Sequence, residues 1–357
     1  MKFGANDTRY FRVGGRSLMR GGYRYLSYSG SYIEFTFRGI RAAVILKSSG
    51  YGNSPELLAQ AAVIIDGDEE NPVRFTLIPD AECRYCLFSS ATPQTVTLRL
   101  VKMSEAKFAK MAVVGFEVEC EEGGEPRPTL PKKRQIEFVG DSITCGYGNE
   151  GVLNRDLFRT SQENPLKAFA ILTAGKLGAD YELCCWSGIG VISGYVSPDV
   201  DTPSDTWLMP MIYPYTDAAV CNAMKLPRER WEIRDCGGRR PDIVVVNLGT
   251  NDSSYTRGIP ERVERFRKQY YEFLTDIRKR NPESQIVCIL GVMGTELCPV
   301  VRECVETFAR NYSDDRIAFL EMDVQKPRDG TGTDFHPSLT THRKMANVLA
   351  AYLEQFF

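Results

Sequence analysis

The stretch Ile136-Glu137-Phe138-Val139-Gly140-Asp141-Ser142-Ile143-Thr144 decides the fold of the longer part of this chain. Its apolar first half is typical of a buried strand, and Gly140-Asp141-Ser142 predicts a tight turn where that strand ends. Residues 243–247 and 286–290 are two more near-continuous apolar runs, as expected of parallel strands covered on both faces. Helical patterns occur at 168–177, at 259–281 and at about 342–356. Alternating strands and helices predict a three-layer α/β domain with a parallel sheet.

The first third of the chain has a different pattern. Residues 32–37, 74–77 and 95–100 alternate apolar and polar side chains with a period of two, which predicts short strands. Strands at this spacing, with few helical signals, favour a β-sandwich of jelly-roll type. The charged segment 121–133 contains two glycines and three prolines and is typical of an exposed connection. We therefore predict an all-β domain at 1–125 and the α/β domain at 134–357.

Composition excludes several classes of protein. The chain has 357 residues with a formal net charge of −2 and acids and bases interspersed, so no basic surface favours nucleic acid as a partner. No stretch approaches the ~20 apolar residues that cross a bilayer, so no membrane partner is expected either. Met1-Lys2-Phe3-Gly4 begins a segment without the apolar core of a signal peptide. We expect a cytoplasmic protein, or a secreted one if an export signal has been trimmed.

Cysteine usage points to the same compartment. The eleven cysteines show no disulfide framework, which fits a reducing environment. Cys83 and Cys86 form a close pair, but a zinc site would need a second pair of ligands and the next cysteine, Cys120, stands alone. No metal and no cofactor is therefore predicted.

Ser142 is the candidate nucleophile, because it follows a buried strand directly. A serine hydroxyl needs a base to remove its proton, and the chain has only two histidines, His336 and His342. His336 lies in Asp334-Phe335-His336-Pro337, whereas His342 falls inside the last helical pattern, where packing or a hydrogen bond explains it. We predict that His336 is the base. The alternative for the serine turn is a helix cap formed by Asp141 or Ser142, and for Asp141 we favour that structural role.

Two further residues could stabilise an oxyanion together with the backbone N–H of Ser142. Gly188 follows the apolar segment 183–187, and Asn251 follows the strand at 243–247. Both lie where the carboxyl ends of parallel strands place ligand-binding groups. A backbone N–H of Gly188 and the side-chain amide of Asn251 are suitable donors. The alternatives are a plain turn glycine and an asparagine that caps a helix.

The order of these blocks resembles the SGNH (GDSL) hydrolases, and more closely carbohydrate esterase family 2. The resembling stretches are 140–149, 163–164, 186–190, 208–213, 246–252 and 334–338. The resemblance implies a jelly-roll domain followed by an SGNH catalytic domain that works without a metal or cofactor. It implies a serine esterase that releases acetate from acetylated plant oligo- and polysaccharides such as xylan and glucomannan. An acetylated carbohydrate is then the expected partner; the oligomeric state is not predicted.

Two positions depart from the family pattern. Thr333 stands where SGNH enzymes usually have an aspartate, so we predict that Asp334 helps to orient His336, with a backbone carbonyl as the alternative. Phe335 stands where family members often have tryptophan; it could form a platform for a sugar ring or be a core residue. Two rival functions remain: a GDSL esterase or thioesterase acting on another small acyl ester, and a carbohydrate-binding protein with a disused site.

Overall fold

The computed structural model describes residues 1–50, 54–235 and 239–357. The chain divides into two compact units, each made of several segments. The first unit comprises Met1–Pro131, Phe158–Leu166 and Thr216–Glu232, and the second comprises Lys132–Leu157, Lys167–Tyr215 and Ile233–Phe357.

The first unit is built on an antiparallel sheet. Within the described residues its ten strands are β1 Lys2–Gly4, β2 Arg12–Gly14, β3 Leu18–Arg20, β4 Tyr23–Leu26, β5 Tyr32–Gly50, β6 Gln60–Ile65, β7 Val73–Thr76, β8 Glu82–Lys102, β9 Ala109–Cys120 and β10 Arg127–Pro128. The order is β3-β4-β9-β5-β8-β6-β7, with β1 on β9 and with β2 and β10 on β5. The pairing of β5 with β8 shifts register near residues 39–43, and such bulges let long strands bend.

Phenylalanine rings fill the core of this unit. Phe11 lies 5.0 Å from Phe35 and 4.6 Å from Phe116 between ring centroids, and all three are buried. The alternating stretches noted in the sequence supply the inward-facing side chains of this cluster. The predicted all-β class of the first domain is therefore confirmed.

Two segments from within the predicted range 134–357 belong to the first unit. Thr160 Oγ1 donates to the carbonyl of Leu58 at 2.6 Å, and Arg74 Nη2 donates to the carbonyls of Ser161 at 2.9 Å and Glu163 at 3.1 Å. The sequence-based division at 125–134 did not include these segments, because neither carries a strand pattern of its own.

The second unit is built on a parallel sheet of five strands in the order β12-β11-β13-β14-β15. Its strands are β11 Arg134–Gly140, β12 Ala179–Cys185, β13 Ile243–Asn247, β14 Gln285–Leu290 and β15 Ile317–Glu321. Every residue of β12, β13 and β14 is buried. This confirms the parallel α/β class, since only strands covered on both faces are buried throughout.

Eight α-helices occur in the described part of the chain. They are α1 Ser142–Cys145, α2 Phe169–Lys176, α3 Met209–Ile212, α4 Ala218–Ala223, α5 Thr250–Thr256, α6 Pro260–Arg280, α7 Cys298–Tyr312 and α8 Leu339–Leu353. Short 3₁₀ helices lie at Pro55–Leu57, Thr160–Gln162, Pro165–Lys167, Arg228–Arg230, Pro327–Asp329, Thr333–Phe335 and Glu354–Phe356. Among all of these, none is both long and apolar enough to span a membrane.

Helix α6 shows how the sequence produces these elements. It begins with Pro260, whose fixed φ suits the first helical position, and ends in Arg278-Lys279-Arg280, whose charges complement the helix dipole. Its apolar positions Phe266, Tyr270 and Ile277 recur at helical spacing and are buried. The prediction of a helix at 259–281 is confirmed to within one residue at each end.

The register of the sheet brings three sequence blocks to one edge. Gly140 pairs with Cys185 on one side and with Asn247 on the other, near the carboxyl ends of β11, β12 and β13. Residues that follow these three positions closely along the chain therefore emerge at the same edge of the sheet. Ser142, Gly188 and Asn251 are such residues.

Candidate active site

Ser142 is the first residue of α1, immediately after β11. The Asp141 carboxylate caps this helix, with Oδ1 accepting from the backbone N–H of Ile143 at 3.0 Å. The Ser142 side chain is buried, with 6% of the residue exposed, and its backbone N–H lies in the first helical turn, where no intrahelical acceptor exists. Asp141 thus has the structural role that we favoured.

His336 contacts Ser142 directly, although 194 positions separate them. Nε2 of His336 lies 2.8 Å from Oγ of Ser142. Nδ1 lies 3.1 Å from the carbonyl oxygen of Thr333 and 3.0 Å from that of Asp334. Because a carbonyl oxygen only accepts, these contacts place the ring proton on Nδ1 and leave Nε2 free to accept the serine proton.

The predicted role of the Asp334 side chain needs correction. Its carboxylate Oδ2 accepts from the hydroxyl of Tyr147 at 2.8 Å, and the main-chain carbonyl of Asp334 is the group that contacts His336. Asp334 and Phe335 both have left-handed backbone conformations, with φ of 51° and 64°. This turn directs main-chain oxygens at the imidazole. Backbone carbonyls, the alternative given above, therefore orient His336.

The surroundings of His336 keep its ring neutral. Burial lowers the pKa of His336 to about 4, and the hydrogen bonds to the two carbonyls and the nearby charge of Asp334 act in the opposite direction. An imidazole with that pKa is unprotonated at neutral pH, which is the form a general base requires.

The turn after the nucleophile also holds the loop that carries the base. The carbonyl of Gly148 accepts from the backbone N–H of Thr333 at 3.0 Å, and the ring of Tyr147 lies 4.4 Å from that of His336. Gly148 has φ of 56°, and a Cβ there would come within 2.8 Å of the Cβ of Thr333. Gln325 fixes the other side of the loop by donating to the carbonyl of Phe335 at 2.7 Å.

Gly188 and Asn251 lie on two elements that contact each other. Gly188 has φ of 77° and is a turn glycine, and within the described residues its N–H has no protein acceptor. Nδ2 of Asn251 donates to the carbonyl of Ile189 at 2.8 Å and lies 3.4 Å from Oδ2 of Asp141. The 3.4 Å contact is the weaker of the two hydrogen bonds, so an oxyanion would compete with Asp141 for that amide proton.

The interpretation of Asn251 as a helix-capping residue is wrong. Helix α5 begins at Thr250 with Gly249 in the capping position, so Asn251 lies inside the first turn and does not cap the helix. Its side chain connects the nucleophile turn with the segment that follows Gly188. The structure thus places Ser142, Gly188 and Asn251 around one edge of the sheet, as predicted from the order of the blocks.

Two exposed aromatic residues are connected to the site. One is the sequence neighbour of His336, and the other forms a backbone hydrogen bond with Gly188. Phe335 precedes His336 and is 63% exposed, so the interpretation as a core residue is wrong. Tyr195 is 61% exposed, and its backbone N–H donates to the carbonyl of Gly188 at 2.9 Å. Sequence reasoning missed Tyr195, because an isolated tyrosine in an irregular segment carries no periodic signal.

His342 has the structural role predicted for it. It is fully buried in α8, and its Nδ1 accepts from the backbone N–H of Phe169 at 3.1 Å. That N–H starts α2, whose capping residue Ala168 has no side-chain acceptor. Burial lowers the pKa of His342 to about 3, so this ring is also neutral.

A serine at a strand-to-helix turn, paired with a neutral histidine, is the arrangement of a serine hydrolase on a parallel α/β sheet. Comparison with known proteins agrees. The model of the GDSL-like lipase/acylhydrolase family matches residues 138–344, and that of the carbohydrate esterase 2 N-terminal domain matches residues 13–128. The chain belongs to carbohydrate esterase family 2, within the GDSL-like (SGNH) hydrolases.

Three relatives illustrate the likeness. The cellulase/esterase CelE of Acetivibrio thermocellus is 32% identical over 333 residues, which cover 92% of this chain and 37% of CelE. This chain therefore spans little more than a third of that relative. An acetylxylan esterase / glucomannan deacetylase of Cellvibrio japonicus is 27% identical over 366 residues, covering 96% and 90% of the two chains. The structure of a family two carbohydrate esterase from Clostridium thermocellum in complex with cellohexaose superposes with a TM-score of 0.81 at 30% identity, covering 97% and 98%.

Proposed function

We propose that this protein is a serine esterase that removes acetyl groups from the hydroxyls of plant oligo- and polysaccharides such as acetylated xylan and glucomannan. The observation that carries the proposal is the 2.8 Å contact between Oγ of Ser142 and Nε2 of His336. A hydrogen bond of this length lets the imidazole take the serine proton as the hydroxyl attacks a carbonyl.

Acylation uses the hydroxyl of Ser142, the imidazole of His336 and the three oxyanion donors. Oγ of Ser142 attacks the acetyl carbon while its proton passes to Nε2 of His336. The carbonyl oxygen becomes an oxyanion, for which the N–H groups of Ser142 and Gly188 and the amide of Asn251 are the donors. Collapse of this intermediate breaks the bond to the sugar oxygen, which takes the proton from His336 and leaves as the alcohol. The acetyl group remains on Ser142.

Deacylation repeats the steps with water. His336 takes a proton from water as the water oxygen adds to the acetyl carbon, and this proton then passes to Oγ of Ser142 as the ester bond breaks. The product leaves as acetic acid, which loses its remaining acidic proton to the solvent and becomes acetate. The carbonyls of Thr333 and Asp334 hold the Nδ1 proton in both halves of the reaction. Because main-chain carbonyls and not a carboxylate bind Nδ1, the catalytic group is a Ser142–His336 dyad and not a triad. A neutral acceptor stabilises the imidazolium less than a carboxylate does.

Two features support a saccharide as the substrate. Tyr195 and Phe335 expose aromatic rings, and such rings pack against the apolar faces of sugars. The relatives bear the names cellulase/esterase and acetylxylan esterase / glucomannan deacetylase. The second of these names specifies the acetyl group that the proposed reaction releases.

Acetate release from a panel of esters tests the proposal. Wild type, Ser142→Ala and the control Ser161→Ala, whose side chain lies in the first unit, are assayed with acetylated xylo-oligosaccharide, acetylated glucomannan, p-nitrophenyl acetate and p-nitrophenyl butyrate. We expect wild type and the control to release acetate from the saccharides and to prefer acetate to butyrate. Ser142→Ala should lose on the order of 10⁴-fold or more in kcat.

The rivals predict other results. Hydrolysis of butyrate in preference to every acetylated saccharide would indicate a GDSL esterase or thioesterase for another acyl ester. Saccharide binding without turnover in the wild type would indicate a binding protein with a disused site.

A further inference from the structure

We propose that Asp252 is a positioning residue that holds residues 188–200, here called the donor loop, against α5, so that the N–H of Gly188 and the amide of Asn251 stay aligned for the oxyanion. The proposal rests on the proposed esterase function and adds a residue that touches none of the reacting atoms.

The Asp252 carboxylate is surrounded by main-chain donors of this loop. Its Oδ1 accepts from the backbone N–H groups of Val191 at 2.9 Å, Ile192 at 2.7 Å and Ser193 at 3.1 Å. Its Oδ2 accepts from Val191 at 3.0 Å. Asp252 is fully buried, so these bonds replace water around a charged group that would otherwise be very unfavourable in the interior.

Gly190 shows how closely the loop wraps around this carboxylate. A Cβ at residue 190 would lie 2.0 Å from the carbonyl oxygen of Ser193 and 2.6 Å from Oδ2 of Asp252. Neither the backbone oxygen nor a carboxylate held by three donors can move aside easily. Only glycine at position 190 therefore allows the loop to approach the carboxylate this closely.

Asp252 and Asn251 are neighbours on the first turn of α5, and they hold successive parts of the loop. Nδ2 of Asn251 binds the carbonyl of Ile189, and the carboxylate of Asp252 binds the three amides from Val191 onward. Gly188 lies directly before these anchored positions. Release of the amides would let the Gly188 N–H turn away from the oxyanion, and would free the carbonyl that now orients Asn251.

The far end of the donor loop has separate attachments to α5. Oγ of Ser254 accepts from the backbone N–H of Val196 at 3.0 Å, and Arg257 donates to the carbonyls of Ser197 at 3.0 Å and Val200 at 2.6 Å. These contacts remain when Asp252 is changed. We therefore expect a loss of Asp252 to loosen the oxyanion end of the loop and not to release the loop as a whole.

The variant Asp252→Asn keeps the shape of the side chain and replaces one acceptor oxygen with an NH₂ group. Hydrolysis of p-nitrophenyl acetate is measured for wild type, Asp252→Asn, Gly190→Ala and the control Asp276→Asn, whose carboxylate bonds Arg280 on α6. Loss of one oxyanion donor costs about 10²–10³-fold in kcat, so partial misalignment should lower kcat by roughly 10- to 100-fold. We expect both loop variants to show this fall with KM changed less than about threefold, because the affected donor acts in the transition state. The control should stay near wild type.

A purely structural role predicts a different result. Asp252→Asn with a reduced Tm but with wild-type kcat below its unfolding transition would overturn the proposal, as would a loss confined to KM. If neither variant folds, amide hydrogen exchange in the wild type decides. The amides of Val191, Ile192 and Ser193 should then exchange at least ~10³-fold more slowly than in an unstructured peptide, and exchange at peptide rates would overturn the tether. A wild type that hydrolyses no ester would refute the esterase function, and the exchange rates would still test the tether.

Discussion

At the scale of single residues, the site depends on which atoms hold His336. The main-chain carbonyls of Thr333 and Asp334 accept hydrogen bonds from Nδ1–H, while the Asp334 carboxylate accepts one from the hydroxyl of Tyr147. The backbone cannot be removed by substitution, so the orientation of the base does not depend on any one side chain. The carboxylate contributes a charge near the ring and the hydrogen bond to Tyr147, and it does not contact the imidazole.

Substitution of Asp334 tests this account. Asp334→Asn retains an oxygen for Tyr147, and asparagine tolerates the left-handed conformation that residue 334 adopts. We expect kcat on p-nitrophenyl acetate to fall less than about tenfold, because an orienting carboxylate would be worth on the order of 10⁴-fold. A loss as large as that of Ser142→Ala would show that the carboxylate, and not the carbonyl, supports the base.

At the scale of elements, short connections at one sheet edge place every group of the site. The turn after α1 holds the base loop through the carbonyl of Gly148, and α5 holds the donor loop through Asn251 and Asp252. Each contact joins segments that are distant in the sequence. The alignment of serine, base and donors is therefore a property of the loops as packed against the sheet.

Gly148 offers a test at this scale. Its left-handed φ and the 2.8 Å approach to Thr333 mean that Gly148→Ala must shift the base loop. Because an ångström of displacement between reacting groups costs about 10²-fold, we expect kcat to fall by roughly that factor while the far-UV circular dichroism spectrum is unchanged. Gly258→Ala is the matched control, since it too has a positive φ but no neighbour within 4 Å of the added Cβ. Equal kcat values for the two variants would contradict the coupling.

Some of these elements could be located from the sequence and others could not. The strand before Ser142 and helix α6 have long, regular apolar patterns, and both were located closely. Strand β15 was not identified, because it is a short edge strand whose middle residues are only partly buried. Asp252 was passed over beside Asn251, since a carboxylate that binds backbone N–H groups leaves no trace in spacing. The Ser142–His336 pairing could be predicted because the chain has only two histidines, one of them inside a helical pattern, and because the order of the blocks resembles a known family.

At the scale of the whole molecule, the chain consists of two compact units. One family model matches residues 13–128, within the first unit, and the other matches residues 138–344, most of which belong to the second unit. The segments at 158–166 and 216–232 could not be assigned from the sequence, because their membership follows from long-range contacts and not from local pattern. The compartment in which the protein works stays a prediction.

The two histidines, His342 fully buried and His336 partly buried, affect the stability of the folded protein as a function of pH. Both have pKa values below that of a free imidazole, His336 at about 4 and His342 at about 3. Between about pH 4 and pH 6.5 the unfolded chain binds protons that the folded chain does not, so these groups make the free energy of unfolding fall as pH decreases.

Denaturant unfolding at pH 7, 6 and 5 measures this effect. The free energy of unfolding of wild type should fall more steeply below pH 6.5 than that of His336→Gln, by up to about 1.4 kcal/mol per pH unit for the one proton involved. Parallel curves for the two proteins would mean that His336 titrates normally in the folded state.

If Ser142 and His336 act as one catalytic unit, their substitutions are not additive, and a comparison of single and double variants measures this. Acetate release from acetylated xylo-oligosaccharide is measured for wild type, Ser142→Ala, His336→Ala and the double variant. We expect each single variant to lose on the order of 10⁴-fold or more in kcat and the double variant to lose no more than the worse single one. Additive losses, or activity that survives Ser142→Ala, would contradict it.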